Sequence, residues 1–155
     1  TPAEKAERIA TLEKIFNEAP LWAYSAREGR GHFQKLCAQC HRLGDEGVRL
    51  GPELTGAGKH GIRYFLENVL DPNAVVGTDF QLTTVETRSG EVISGILVGE
   101  TGGQLQLRTT ADTVRVPAAE VARRETTERS LMPEGLLESL NDRERIELLK
   151  YLVEN

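Results

Sequence analysis

The sequence predicts a mainly α fold that is interrupted by a small antiparallel sheet. Apolar residues recur at helical spacing near both ends of the chain, whereas from Thr78 to about Thr127 they alternate with a period of two. The 155 residues are 39% hydrophobic and 28% charged. This composition is typical of one globular domain, or of one domain with a sizeable insertion.

Charge and hydropathy limit the kinds of partner that we expect for this chain. The net charge is −5 and no basic stripe is visible, so we expect no nucleic-acid partner. No apolar run approaches membrane-spanning length, so no span is expected in this chain. The chain starts at Thr1 without an initiator methionine. We therefore expect a processed product or a piece of a longer protein.

The first helix is predicted to begin with a capping box from Thr1 to Glu4 and to end at Pro20. Its apolar face repeats at helical spacing through Ile9, Leu12, Ile15 and Phe16. We expect residues 1–20 to form an N-terminal helical extension or linker, and residues 21–155 to form the main domain.

A second helix and the last helix are predicted to cross. Ser25 starts a capping box, and Gly29 and Phe33 then lie four apart on one face. A glycine permits close approach of another helix, and an aromatic ring fills the crossing. The expected partner is the final helix, which begins at Asn141 and carries Tyr151 at the crossing.

The segment Cys37-Ala38-Gln39-Cys40-His41 has the C-x-x-C-H spacing of covalent haem attachment. Two thiols at this spacing can form thioethers to the two vinyl groups of one porphyrin. The imidazole that follows is then held beneath the iron as an axial ligand. The pattern predicts one covalently bound haem c, with its iron ligated by His41.

Cys37 and Cys40 also allow three other interpretations. They are a surface disulfide, a thioredoxin-like redox pair and half of a zinc site. A thioredoxin-like pair requires a βαβ context, and a structural zinc site requires a second pair of ligands; the sequence shows neither. Haem attachment is therefore the favoured interpretation.

A glycine-rich loop from Gly44 to Gly58 follows the motif and contains Gly51-Pro52. An axial histidine usually donates its second ring N–H to a carbonyl, which fixes the ring. We expect the carbonyl of Pro52 to be that acceptor. Residues 60–70 are then predicted to form a helix, which ends at Asp71-Pro72.

Four or five short strands are predicted between the third helix and the last one. Turns are expected at Ser89-Gly90 and Gly102-Gly103, and a fifth strand from Val121. We expect residues 78–128 to form a β-rich insertion, either a sheet or a barrel-like subdomain. A structural or partner-binding role is favoured over chemistry of its own.

Met132 is the only methionine in the chain. Methionine is generally flexible core filler. Here, however, a haem iron that has one histidine needs a sixth ligand. Met132 stands beside Pro133 just before the last helix, so we expect it to be the distal ligand.

Together these segments resemble the class I cytochrome c family, because the same motifs stand in that family's order. The resemblance implies a small α-helical shell around one haem and a role in electron transfer rather than enzymatic catalysis. It also implies thioethers at Cys37 and Cys40, axial ligands at His41 and Met132, and a carbonyl contact from Pro52.

One departure from that family is the distance between the two axial ligands. His41 and Met132 lie 91 positions apart, and without residues 78–127 the chain would have 105 residues. The segments Gly51–Gly58 and Ser130–Leu137, with Asp71-Pro72 and the β segment between them, more narrowly resemble the haem-binding domain of the Pirellula/Verrucomicrobium type. This resemblance covers most of residues 25–155 and implies a periplasmic or otherwise exported electron-accepting module, whose redox partner is a dehydrogenase or terminal oxidase.

Two other functions are alternatives to electron transfer. A haem sensor or peroxidase-like catalyst would have a displaceable Met132 and a polar distal residue, for which His32 and His60 are the only candidates. For each of them a solvated surface histidine is favoured. In the other alternative, the β segment is a docking module and the haem is its redox tether. The sequence does not indicate an oligomeric state.

Overall fold

The helices and the large sheet of this protein lie in different parts of the chain. The structure is a computed structural model that describes residues 2–155. It divides into two units: one is formed by the chain up to Ala74 together with Met132–Asn155, and the other is Val75–Leu131. Helices hold 44% of the chain and strands 24%, so the expectation of a mainly α fold describes the first unit only.

Four α-helices build the first unit: α1 Pro2–Glu18, α2 Ala26–Leu36, α3 Gly61–Leu70 and α4 Asp142–Glu154. A short hairpin lies at the start of the glycine-rich loop. Its two strands, β1 Arg42–Leu43 and β2 Glu46–Gly47, have two residues each. Short 3-10 turns lie at Leu21–Ala23, Ala57–His60 and Leu137–Ser139. Side chains from all four helices meet in one apolar core.

Helix α1 belongs to this core, where it packs against α3. Ile9, Leu12 and Phe16 are buried, but Ile15 is 41% exposed, so its predicted place on the apolar face was wrong. At 3.6 residues per turn, Ile15 points to the side of the stripe that the other three residues form. The predicted cap at Thr1 lies outside the described residues.

The crossing of α2 and α4 confirms the predicted role of Gly29. A Cβ atom at this position would lie 2.0 Å from the carbonyl oxygen of Glu147 and 2.9 Å from Cβ of Tyr151. The Phe33 and Tyr151 rings fill the crossing, with their centroids 5.8 Å apart. Asn141 caps α4 through a complete capping box. Only glycine lets the two backbones come this close.

The second unit is a five-stranded antiparallel sheet. Its strands are β3 Leu82–Thr87, β4 Val92–Thr101, β5 Gln104–Arg108, β6 Thr113–Pro117 and β7 Val121–Thr127. The order is β6-β5-β4-β3-β7, so within the described chain the sheet has two edges and is not a closed barrel. The fifth strand expected from Val121 is present.

The second unit has an apolar core of its own. Val85, Leu105, Leu107 and Val116 form the core of this unit, although a single sheet is the only layer. Register shifts lie between Leu97 and Gly99 in β4, and between Glu86 and Thr87 in β3. Such bulges increase local twist and bend a strand. Arg124 on β7 pairs with Glu100 on β4 at the rim of the buried face.

Candidate haem-attachment site

The two cysteines and the histidine follow directly from the end of α2. Cys37 is the last capping position of that helix, and its N–H donates to the Phe33 carbonyl at 2.8 Å. The N–H groups of Cys40 and His41 then both donate to the Cys37 carbonyl, at 3.1 and 2.9 Å. The chain therefore continues in one tight turn, which brings both thiols and the imidazole together.

The orientation of His41 is fixed by the loop that follows it. Its Nδ1 lies 2.7 Å from the carbonyl oxygen of Pro52. A carbonyl oxygen can only accept, so Nδ1 carries the proton and Nε2 keeps its lone pair. This is the arrangement in which a histidine can ligate a metal through Nε2 while a second partner fixes its ring.

Gly51 packs closely against the imidazole of His41. A Cβ atom at Gly51 would lie 2.9 Å from Cε1 and 3.2 Å from Nδ1 of His41. The N–H groups of Leu50 and Gly51 donate to the Cys40 carbonyl at 3.1 and 2.6 Å, which ties the loop to the motif. The Gly-Pro pair therefore supplies both the space and the acceptor that this ring orientation requires.

The electrostatics of the site favour a neutral ligand. Burial lowers the pKa of His41, and its hydrogen bond to Pro52 opposes that shift. At neutral pH the imidazole is therefore unprotonated at Nε2, which is the form that binds iron.

Both thiols of the motif are free. Burial, with a smaller contribution from Cys40, raises the pKa of Cys37 to about 12, and burial also raises the pKa of Cys40. Thioredoxin-like cysteines act through a lowered pKa and a stable thiolate. The environment of this pair is the opposite, which weighs against a dithiol redox role.

The side chains around the motif are apolar. Leu36, Cys37, Ala38 and Leu54 pack against the main core of the unit. Leu50, Phe65 and Leu66 are buried, whereas Leu136 is half-buried. The residues present therefore fit a covalently attached porphyrin: two free thiols, an oriented imidazole and an apolar surround.

Met132 lies apart from this turn, on a separate loop of the same unit. It is half-buried at a bend before Pro133, and Gly135 turns the chain with φ +83°. The 3-10 turn Leu137–Ser139 then leads to α4. The structure thus connects Cys37, Cys40, His41 and Pro52 by direct contacts, whereas Met132 lies on a separate loop of the same unit.

The histidines outside the motif differ from each other. His60 is exposed and its ring packs against Tyr64, with centroids 4.7 Å apart. The His32 side chain is only 14% exposed, and its Nε2 lies 3.2 Å from Oε1 of Glu147, which is 4% exposed. The expectation of a solvated surface histidine was therefore wrong for His32. The position of Glu147 within the apolar run of α4 was the available signal.

Comparison with known proteins bears on the first half of the site. Residues 26–81 match the family model for Cytochrome c, which is 56 of the 155 residues. The matched segment contains α2, the attachment motif and the Pro52 loop, and it ends before Met132. No curated protein matches the chain.

The matched segment indicates the cofactor and supports the broad activity. A Cytochrome c domain implies a covalently bound haem c with its iron, and it supports haem-based electron transfer with redox partners. Domains of this family generally act as electron carriers and are typically exported. Among residues 2–155, no helix has the length and apolar character needed to cross a membrane.

Proposed function

We propose that this protein is a monohaem c-type cytochrome that transfers electrons through a haem ligated by His41 and Met132. The observation that carries the proposal is the 2.7 Å contact of His41 Nδ1 with the Pro52 carbonyl, directly beside two free thiols. When bound, haem iron supplies one-electron chemistry by alternating between its ferric and ferrous states.

Each residue of the turn has one task. Cys37 and Cys40 would hold the group through thioethers, and His41 would ligate the iron through Nε2. Gly51 and Pro52 keep the imidazole ring from rotating. The hydrogen bond to the Pro52 carbonyl also makes Nε2 a stronger electron-pair donor to a metal. Leu50, Leu54 and Phe65 exclude water, which disfavours the ferric charge and raises the reduction potential.

Met132 is the proposed sixth ligand. Its support is chemical and positional: it is the one methionine of the sequence, and it lies on a loop of the same unit as His41. Methionine in place of a second histidine raises the reduction potential. If His41 and Met132 both ligate the iron, small molecules would find no open site on it, so the protein would carry electrons instead of activating substrates.

The wider setting is proposed from the sequence. Residues 1–20 are the helical extension, and 78–128 are a β-rich insertion within a cytochrome c domain that spans 21–155. This organisation and the Gly51–Gly58 and Ser130–Leu137 segments are similar to the Pirellula/Verrucomicrobium-type haem-binding domain. The chain then acts in the periplasm, or otherwise outside the cytoplasm, as the electron-accepting module or partner of an exported dehydrogenase.

The alternative, a haem sensor or peroxidase-like catalyst, requires a displaceable Met132 and a polar group above an open site. The described contacts favour the carrier. His32 is held by Glu147, and His60 stacks on Tyr64 at the surface.

Optical spectra test the proposal. We would record ferric and ferrous spectra of the intact protein and of Met132→Ala, with carbon monoxide added to each ferrous form. His60→Ala is the control, because it removes an exposed histidine that the proposal gives no role. We expect the parent and the control to show the far-red sulfur-to-iron band and to resist carbon monoxide. Met132→Ala should lose the band and bind the gas.

A parent protein that lacks the band and binds carbon monoxide immediately would contradict the proposal. The iron would then have an open coordination position, and the sensor or catalyst would become the better account.

A further inference from the structure

An ion-pair cluster joins three distant segments of the first unit. Lys5 on α1 places its Nζ 2.9 Å from Oδ1 of Asp71 and 2.8 Å from Oε1 of Glu134. Asp71 is the residue after α3, and Glu134 stands two positions beyond Met132. One ammonium group therefore connects the N-terminal helix, the end of α3 and the Met132 loop.

A second set of contacts holds the same loop further along. Arg8, one turn after Lys5 on α1, places its Nε 3.2 Å from Oε1 of Glu138. Arg145 on α4 donates through its Nε to the carbonyl of Leu137 at 2.7 Å. The segment that begins at Met132 is thus tied to α1 at two points and to α4 at a third.

The Met132 loop depends on such contacts because it has little regular structure. Residues 131–136 form bends and turns, and regular hydrogen bonding resumes with the 3-10 turn Leu137–Ser139. Glu134 is also bonded by the side chain of Asn73, which follows α3 closely. The carboxylate of Glu134 is therefore bonded by one side chain from α1 and by one from the segment after α3, and it lies two positions beyond Met132.

We propose that Lys5 is a positioning residue, which holds the Met132 loop against α1 and α3 and so slows dissociation of Met132 from the haem iron. The inference rests on the proposed ligation by Met132. It gives helix α1 a function in the redox site, although residues 1–20 precede the attachment motif and lie outside the segment that matches the Cytochrome c family.

If Lys5 instead stabilised the whole unit, its loss would mainly lower the unfolding midpoint. The Lys5 side chain is 30% exposed and that of Glu134 53% exposed, and exposed ion pairs contribute little to global stability. Loss of the cluster should therefore change the unfolding midpoint only slightly. Its effect should appear in the loop that carries Met132, because the Lys5–Glu134 contact acts on a segment without regular structure, while the Lys5–Asp71 contact ties the same ammonium group to the end of α3.

The rate of carbon monoxide binding to the intact, haem-loaded ferrous protein tests the proposal. The gas needs the position that Met132 fills, so the rate reports how often Met132 leaves. We expect Lys5→Ala to bind about three- to tenfold faster than the parent, and Lys5→Arg to bind at close to the parent rate. Lys14→Ala is the matched control, since it removes an exposed lysine from the same helix.

A second variant tests the path of the effect. Glu134→Gln should raise the rate of carbon monoxide binding in the parent background. It should add little in the Lys5→Ala background, because both substitutions remove the same Lys5–Glu134 contact. If Lys5→Ala fails to fold, the comparison of Glu134→Gln with the parent and with Lys14→Ala decides the question.

Two results would overturn the inference. One is an unchanged rate in both Lys5→Ala and Glu134→Gln, and the other is an equal increase in Lys14→Ala. Either would leave Met132 ligation intact, provided that the parent shows the far-red band and binds the gas slowly. A parent without that band would instead contradict the proposed function itself.

Discussion

At the scale of single residues, the site is defined by a backbone carbonyl and by a missing side chain. The Pro52 carbonyl sets the tautomer of His41, and the absence of a Cβ at Gly51 leaves room for the imidazole ring. Both features are set by two adjacent residues in a loop. This explains how a short Gly-Pro pair has a specific effect on the imidazole of His41, eleven positions before Pro52.

Gly51→Ala tests this account of His41. The added methyl group would lie 2.9 Å from Cε1 of the ring, so the ring or the loop must move. We expect the hydrogen bond between Nδ1 and the Pro52 carbonyl to weaken and the Nδ1 proton to exchange with solvent about tenfold faster, as followed by proton NMR. Gly31→Ala is the control, because a Cβ there meets no atom within 4 Å. Equal exchange rates in the two variants would contradict the account.

The His32–Glu147 pair yields a second prediction at this scale. Glu147 is 4% exposed on its side chain, and Arg143 lies 3.6 Å from its other oxygen. His32→Ala removes one partner of a buried carboxylate and should lower the free energy of unfolding by about 1–3 kcal/mol. Chemical denaturation checks this value.

A double-mutant cycle separates the pair from general packing. In the Glu147→Gln background, His32→Ala should cost less than it does in the parent, because the carboxylate is gone. His60→Ala is the matched control and should change stability by less than about 0.5 kcal/mol, since its side chain is exposed. Additive effects of His32→Ala and Glu147→Gln would show that the two groups do not stabilise each other.

At the scale of elements, the crossing of α2 and α4 positions the attachment motif, because Cys37 ends α2. Two glycines of the same helix permit a direct test. Gly29→Ala would place a methyl group 2.0 Å from the Glu147 carbonyl oxygen, whereas Gly31→Ala meets nothing within 4 Å. We expect the first to destabilise the protein by about 1–3 kcal/mol. The second should stabilise it by about 0.5–1 kcal/mol.

Thermal unfolding of the two variants gives opposite shifts if the helices meet as described. A Gly29→Ala variant as stable as Gly31→Ala would mean that the two backbones do not come into contact at this position.

Local sequence signals predicted most of these elements. The caps at Ser25 and Asn141, and the strands from Leu82 to Thr127, depend on residues close together in the chain, and they are present. The β1–β2 hairpin was not predicted, because its strands have only two residues each and show no periodicity. The sequence therefore predicts an element correctly where the element has a capping residue at its start or an alternating pattern along its whole length.

Long-range polar contacts were beyond sequence reasoning. Lys5 finds Asp71 and Glu134 at separations of 66 and 129 residues, and His32 finds Glu147 at 115. Nothing in the chain marks Lys5 as the partner of Asp71 and Glu134, since a charged residue on a helix is usually solvated. The apolar neighbours of Glu147 indicate that it is buried, but they do not identify His32 as its partner. In the candidate site the Pro52 acceptor was predicted, because the requirement of an axial histidine for a carbonyl is general chemistry.

At the scale of the whole molecule, the chain contains two separate cores. The core of the first unit draws on α1 to α4, and that of the second draws only on the five-stranded sheet. The residues that would hold haem all lie in the first unit. We therefore expect packing defects in the sheet to leave the attachment site structured.

Paired substitutions test this separation. Leu107→Ala and Leu66→Ala each empty a fully buried position, one in each core, and each should cost about 2–5 kcal/mol in its own unit. Amide hydrogen exchange should rise within Val75–Leu131 for the first variant and within the helical unit for the second. A rise in exchange across α2 and α4 in Leu107→Ala would show that the two cores unfold together.

We propose that Met132 would ligate the haem iron together with His41. Met132 is the only methionine of the sequence, so labelling methionine methyl groups with carbon-13 gives a single resonance. In the reduced protein a ligating methionine holds its methyl group over the porphyrin face, where the ring current shifts the proton signal far upfield. The account predicts that shift. A methyl resonance at the position of an ordinary unligated methionine would contradict it.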